Sequence, residues 1–182
     1  MRFSRQQLER IAKWQPIADG FTREDFSVIS ARITPAIEAL CATNRWKVRV
    51  VHDSGMENFY AISIRGANDP KATTHNAFPR VSGLLVQLSL LCPVAAVARA
   101  EVLAGEDLRD WTEMGVEQVI VPVRGKDEMT DAFLDAFATS GFEWASRAEL
   151  SERLPDDLRI EGFCYGPEPW DRVFHMLFHA ND

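Results

Sequence analysis

Cysteine is scarce in this chain. Three cysteines, Cys41, Cys92 and Cys164, lie about fifty or more residues apart. An odd number with no Cys-x-x-Cys pair argues against a disulfide framework or a zinc clip and suits reduced, mostly buried thiols. Long apolar runs are missing too: no stretch of about 18 apolar residues is present, so no membrane-spanning helix is expected. The opening MRFSRQQLERIAKW has basic residues with no apolar run behind them, which does not read as a secretory signal and points to a cytoplasmic protein. There is no G-x-S-x-G elbow, no P-loop and no G-x-G-x-x-G fingerprint, so hydrolase and nucleotide-binding signatures are lacking and no cofactor is expected.

What is present describes an ordinary folded domain. With 46 % hydrophobic and 26 % charged residues the composition rules out disorder, collagen and coiled coil as descriptions of the whole, and 182 residues suit a single globular domain spanning 1–182. The net charge of -7 is unevenly spread: residues 1–50 carry +4, residues 51–100 carry +1, and residues 101–182 carry -12. An acidic half repels nucleic acid and anionic membranes and attracts basic proteins, so direct nucleic-acid and membrane partners are not expected. The plainer alternative is a solvated acidic surface.

Helix starts are written as capping boxes with flanking apolar residues. Ser4 pairs with Gln7, Thr22 with Asp25, and Ser146 with Glu149. They predict helices over about 4–14, 23–43 and 147–154, the last stopped by Pro155, and Pro35 is expected to kink or divide the second. A further helix over 128–139 follows from Met129, Phe133, Ala136 and Phe137 on one face, with Asp127 as cap and Gly141 beyond its end.

Between the helical ends the period changes to two. WKVRVV and NFYAISIRG alternate as strands around the turn HDSGMEN, with Tyr60, Ile62 and Ile64 as the face for burial. The stretch 81–102 is strand-like on both sides of Pro93, which marks a bend; Leu84, Val86, Leu88 and Leu90 form its core-directed face. QVIVPV supplies a fifth strand. The fold class expected is α+β: a mainly antiparallel central sheet of about five strands, flanked by N- and C-terminal helices.

The segment PWDRVFHMLFH carries the residues best suited to chemistry. As a helix it places Trp170, Val173, Phe174, Leu177 and Phe178 on one apolar face and sets Asp171, His175 and His179 together beside it, where histidines four apart can share a metal; as a strand it puts Phe174, Met176 and Phe178 on one face instead. A zinc hydrolase would need glutamate after the first histidine, and Met176 stands there. Exposed histidines near a chain end are the plainer reading, and no metal is assigned. Cys164 lies between glycines, but Glu161 and Glu168 nearby would raise its pKa, which favours a packing role.

The preceding LPDDLRIEGFCYGPEPWDR mixes carboxylates with aromatics. Asp156, Asp157, Glu161, Glu168 and Asp171 can steer a basic surface while Tyr165 and Trp170 supply contact area, so these seven residues are the expected partner-binding set. A loop that covers the core with its aromatics and faces water with its acids has the same composition.

GLLVQLSLLCPVAAV followed by an acidic, helix-rich half, and the closing VFHMLFHAND with its Val-Phe-x-x-Leu-Phe pattern, resemble small bacterial immunity proteins of polymorphic and contact-dependent toxin systems. The resemblance covers about a seventh of the chain and carries no functional residue over. It implies a cytoplasmic, non-enzymatic inhibitor whose partner is a toxin effector, often a nuclease. The expectation is a protein-binding module acting through its acidic C-terminal half on a basic protein. The competing expectation is a small-ligand protein or enzyme with a pocket near His52, Asp53 or His75.

Overall fold

Ser4 opens the first helix as its spacing predicts. Its hydroxyl accepts the Gln7 N–H at 3.2 Å and the Gln7 side chain accepts the Ser4 N–H at 2.8 Å, so two orphan donors are satisfied at the start of α1 (Arg5–Ala12). The computed structural model describes residues 2–51, 57–68, 80–103, 114–160 and 169–179. The second helix, α2 (Phe26–Ala42), begins later than Thr22 implies: Asp25 is the cap and accepts the Ser27 N–H at 3.0 Å, while Thr22 accepts from the Glu24 N–H in the turn before it. Asp127 caps α3 (Glu128–Ala136), and Ser146 with Glu149 caps α4 (Arg147–Leu150). The last helix is α5 (Val173–Leu177).

Helices α1 and α3 end a little before their patterns suggest, and α4 and α5 fall short for one shared reason. After Leu150 the chain leaves helix well before Pro155 to pair with the C-terminal stretch: the Leu154 N–H donates to Asp171 O at 2.8 Å and the Val173 N–H to Glu152 O at 2.9 Å. That pairing holds 171 and 172 extended, so α5 starts only at Val173. Pro35 does not divide α2, which runs as one helix through it. It faces water, as does Ala31, whose carbonyl the proline leaves without a helical donor and which solvent can serve.

The sheet contains β1 (Trp46–Val51), β2 (Phe59–Gly66), β3 (Arg80–Ser89), β4 (Val94–Leu103), β5 (Val119–Ile120) and β6 (Glu143–Trp144), with β1 to β5 adjacent in chain order and antiparallel. The fold is α+β, with a mostly antiparallel sheet and helices in the N- and C-terminal regions. Pro93 sits in the turn between β3 and β4, where it interrupts no ladder bond. The sixth strand was not legible: β6 is two residues long and runs parallel to β4 at Val94 and Ala95, beside the stretch that β5 uses.

Both faces of β3 are buried, where one core-directed face was expected. Leu84, Val86, Leu88 and Leu90 join Tyr60, Ile62 and Ile64 beneath α2 and α3, and on that side Phe133 packs 4.9 Å from Trp144 and 5.0 Å from Phe137, centroid to centroid. Leu85 and Leu91 face the opposite side with Phe59, Ala96 and Ala98, in a core closed by Leu8 and Ile11 of α1, Leu150 of α4, and Phe174 and Leu177 of α5. Gly83 lets β2 and β4 come close; a Cβ there would meet Ile64 O at 2.5 Å and Val102 Cγ2 at 2.7 Å. No helix among the described residues is long and apolar enough to cross a membrane.

Because Pro35 costs a helical hydrogen bond at an exposed position, Pro35→Ala is expected to raise stability by about 1–3 kcal/mol, read as an increased urea midpoint at unchanged m-value. A decrease would mean that the proline is compatible with this helix and acts mainly by restricting the unfolded chain.

Candidate functional site

The C-terminal stretch is fastened to the sheet by one buried amide. Asn58, just before β2, donates its N–H to His179 O at 3.1 Å, accepts the His179 N–H on Oδ1 at 2.9 Å, and donates Nδ2 to Met176 O at 3.2 Å. Its own carbonyl accepts from the Leu90 N–H at 2.8 Å, so the residue joins the start of β2, the end of β3 and the chain after α5. These bonds satisfy backbone groups that the short α5 leaves without helical partners.

His179 is fully buried beside this amide. Its Nδ1 lies 2.9 Å from Met176 O and 3.0 Å from Asn58 Nδ2, and with either neighbour as its partner the buried Nε2 has none among the described residues. Burial lowers the His179 pKa to about 4, so the ring is neutral at pH 7. Trp14 covers it edge-on, with ring centroids 4.4 Å apart, and the Arg23 guanidinium lies 3.8 Å from the Trp14 ring centroid. Trp14 itself has φ +59°, a left-handed conformation that side chains other than glycine rarely adopt. It ends α1 in a Schellman motif, with its N–H on Ile11 O at 2.9 Å and the Gln15 N–H on Arg10 O at 2.9 Å, and its ring contacts offset the strain.

This arrangement corrects the metal candidate. Asp171 and His179 both lie outside α5, so the four-residue spacing puts no common face under Asp171, His175 and His179. His179 Nδ1 is already engaged, His175 Nδ1 accepts the Arg172 N–H at 3.2 Å, and Asp171 Oδ2 accepts from Arg153 Nε at 3.1 Å. Burial also lowers the pKa of His175.

Four of the seven expected partner-binding residues fall within the described structure. The antiparallel pairing of 152–154 with 171–173 brings Asp156 and Asp157 to the same end of the pair as Trp170. Asp156 is exposed, Trp170 is half-buried, and Asp171 also has Arg172 Nε at 3.1 Å. Asp157 is held in a two-pronged pair by Arg5 of α1, at 2.8 and 2.6 Å, and that hydrogen bonding holds its carboxyl down at about 2. Glu161, Tyr165 and Glu168 lie outside the described residues, as do Cys164 and the alternative pocket residues His52, Asp53 and His75.

A second feature has no signature in the sequence, because its walls come from well-separated segments. A cleft of about 460 Å³ is lined by Arg2, Phe3, Ile17, Cys92, Glu143 and Glu149, among others. Arg2 bonds to Glu143 and, at 3.0 Å, to Glu149 Oε1; the other Glu149 oxygen accepts from the Ser146 N–H at 2.8 Å and hydroxyl at 2.7 Å. Burial pushes the Cys92 thiol up to about 11, so it packs as an apolar group and is no nucleophile at neutral pH. Cys41, by contrast with the expectation of mostly buried thiols, is exposed on α2.

Comparison with known proteins finds no match for the chain among family models, curated proteins or solved structures.

Asn58→Ala would strand the His179 N–H and the Met176 carbonyl, and is expected to cost about 2–4 kcal/mol by denaturant unfolding. His179 binds a proton more readily when unfolded than when folded. Its contribution is therefore complete above pH 6.5 and is lost as the pH falls from 6.5 toward 4, by up to about 3 kcal/mol in all. His179→Gln should remove that part of the pH dependence, and equal slopes for both proteins between pH 6.5 and 4 would contradict it.

Proposed function

We propose that this chain is a non-enzymatic protein-binding module that engages a basic protein surface through its acidic C-terminal half. It would act as the small bacterial immunity proteins it resembles do, in the cytoplasm, by covering a toxin effector. The observation that carries the reading is the convergence of Asp156, Asp157 and the half-buried Trp170 at one end of the 152–154 and 171–173 pair. An aromatic group with carboxylates around it suits an interface in which the ring supplies contact area and the acids steer association. Asp157 is already fixed in place by Arg5, so it loses little freedom when a partner cation joins it. Asp156 is exposed and has no ion-pair partner among the described residues, which makes it the carboxylate most open to a partner lysine or arginine. Inhibition would follow from occlusion of the partner's basic site or from imitation of the nucleic acid that such a site binds.

The test is affinity capture by the full chain from cells of its source, followed by association kinetics with the protein retained. A stoichiometric basic partner is expected, with association that slows in salt and slows about three- to tenfold with Asp156→Lys at unchanged melting temperature. Asp156→Lys is the cleaner variant because reversal at Asp157 also breaks the bond to Arg5. Unchanged association by the variant, or no basic protein retained even at low salt, would overturn the reading.

A further inference from the structure

The cleft between the start of α1 and the start of α4 is assembled from four parts of the chain, each held by bonds of its own. Ile17, after α1, is fixed on the turn between β3 and β4 because its N–H donates to Leu91 O at 2.9 Å. Glu143 donates its N–H to Pro93 O at 2.9 Å and stands opposite Val94 in the register of β4 with β6. Phe3 precedes the Ser4 cap of α1, and Glu149 belongs to the capping box of α4. The cavity is therefore formed before any ligand arrives, which spares a ligand the cost of ordering it. Its volume of about 460 Å³ lies within the roughly 300–1,000 Å³ of small-molecule sites.

The walls specify an amphipathic ligand with a cationic end. Phe3, Ile17, Pro93 and Val94 give apolar surface, and Cys92 adds to it because burial keeps its thiol neutral. The charged groups gather around Arg2, whose guanidinium lies between Glu143 and Glu149. Both Glu149 oxygens are committed, one to Arg2 and the other to Ser146, and the Ser146 bonds hold its carboxyl below the usual range and so keep it ionised. Glu143 gives Oε2 to Arg2, yet its side chain stays 70 % exposed and its Oε1 accepts no bond among the described residues. Two carboxylates and one guanidinium give this group one net negative charge, and Arg2 shows that the pair accepts a nitrogen cation. A second cation completes the group, whereas an anion is repelled.

We propose that this cleft binds a small organic amine, with its ammonium group on Glu143 beside Arg2 and its hydrocarbon body against Phe3, Ile17 and Val94. The apolar wall supplies affinity and the charge contact selects the head group. The cleft shares no residue with the C-terminal face and does not depend on the role of that face.

The experiment follows binding by NMR on the isotopically labelled full chain, with three probes of one shape: phenylbutylamine, phenylbutanol and phenylbutanoate. The amine is expected to shift the amides of Ile17, Val94 and Glu143 saturably and to bind about three- to tenfold more tightly than the alcohol, with the carboxylate weakest. Glu143→Gln, at an exposed position, should bring the amine to the level of the alcohol at unchanged melting temperature. Ala18→Leu adds bulk to the cleft wall and should weaken the amine and the alcohol alike. No saturable shift at these amides with the amine, a carboxylate that binds as well as the amine, or an amine affinity that Glu143→Gln leaves unchanged would each overturn the proposal.

Discussion

Burial of both faces of the β3–β4 hairpin is the constraint on which the rest of the molecule depends. On the face beneath α2 and α3, Tyr60, Ile62, Ile64, Leu84, Val86 and Leu88 are all buried. At roughly 2 kcal/mol for each such side chain, exposing them would cost on the order of 10 kcal/mol, comparable to the whole net stability of a domain. The opposite face carries Phe59, Leu85 and Leu91 over a floor of small residues and needs a cover of its own. Two helical layers are therefore obligatory. The second is drawn from both ends of the chain: α1 from the beginning, α4 and α5 from the end.

The uneven charge along the sequence is matched by contacts between its basic and acidic parts. Arg2 reaches Glu143 and Glu149, Arg5 reaches Asp157, and Arg45 reaches Glu128, so the basic beginning meets the acidic end. Exposed ion pairs of this kind contribute about 0–1 kcal/mol each, too little to drive folding. They do alter the surface: carboxylates that look free in the sequence are occupied. Asp156, among the described residues, stays exposed without an ion pair.

The joint between Asn58 and His179 shows how the same layer is closed. Buried polar groups are costly when unpaired and directional when paired, so this cluster fixes one register for the end of the chain, where apolar contacts alone would tolerate sliding. Trp14 connects it to the beginning: a tryptophan held in a left-handed conformation between His179 and Arg23 ties the end of α1 to the chain beyond α5. The orphan Nε2 of His179 is the one ring atom of the joint without a partner among the described residues.

Local chemistry was legible in the sequence. The boxes at Ser4 and Ser146, the cap at Asp127, the alternation in β1 and β2 and the bend at Pro93 depend on residues within a few positions of each other, and all are found. Where local signals competed, the sequence could not arbitrate: Thr22 and Asp25 both offer an oxygen to nearby N–H groups, and the structure uses both. Whatever depended on a distant segment was out of reach. Helix α4 ends early and α5 starts late because 152–154 and 171–173 bond to each other, β6 exists because Val94 and Ala95 offer it an edge, and Asp171, His175 and His179 separate because Asn58 draws His179 into the core. The sequence by itself determined the starts of α1, α3 and α4 and the alternation of β1 and β2, since caps and periodicity act over one or two turns. Only the tertiary structure decided where they stop, which face is covered and which carboxylates stay free, because hydrogen bonds and charges settle on whichever partner folding brings within a few ångströms.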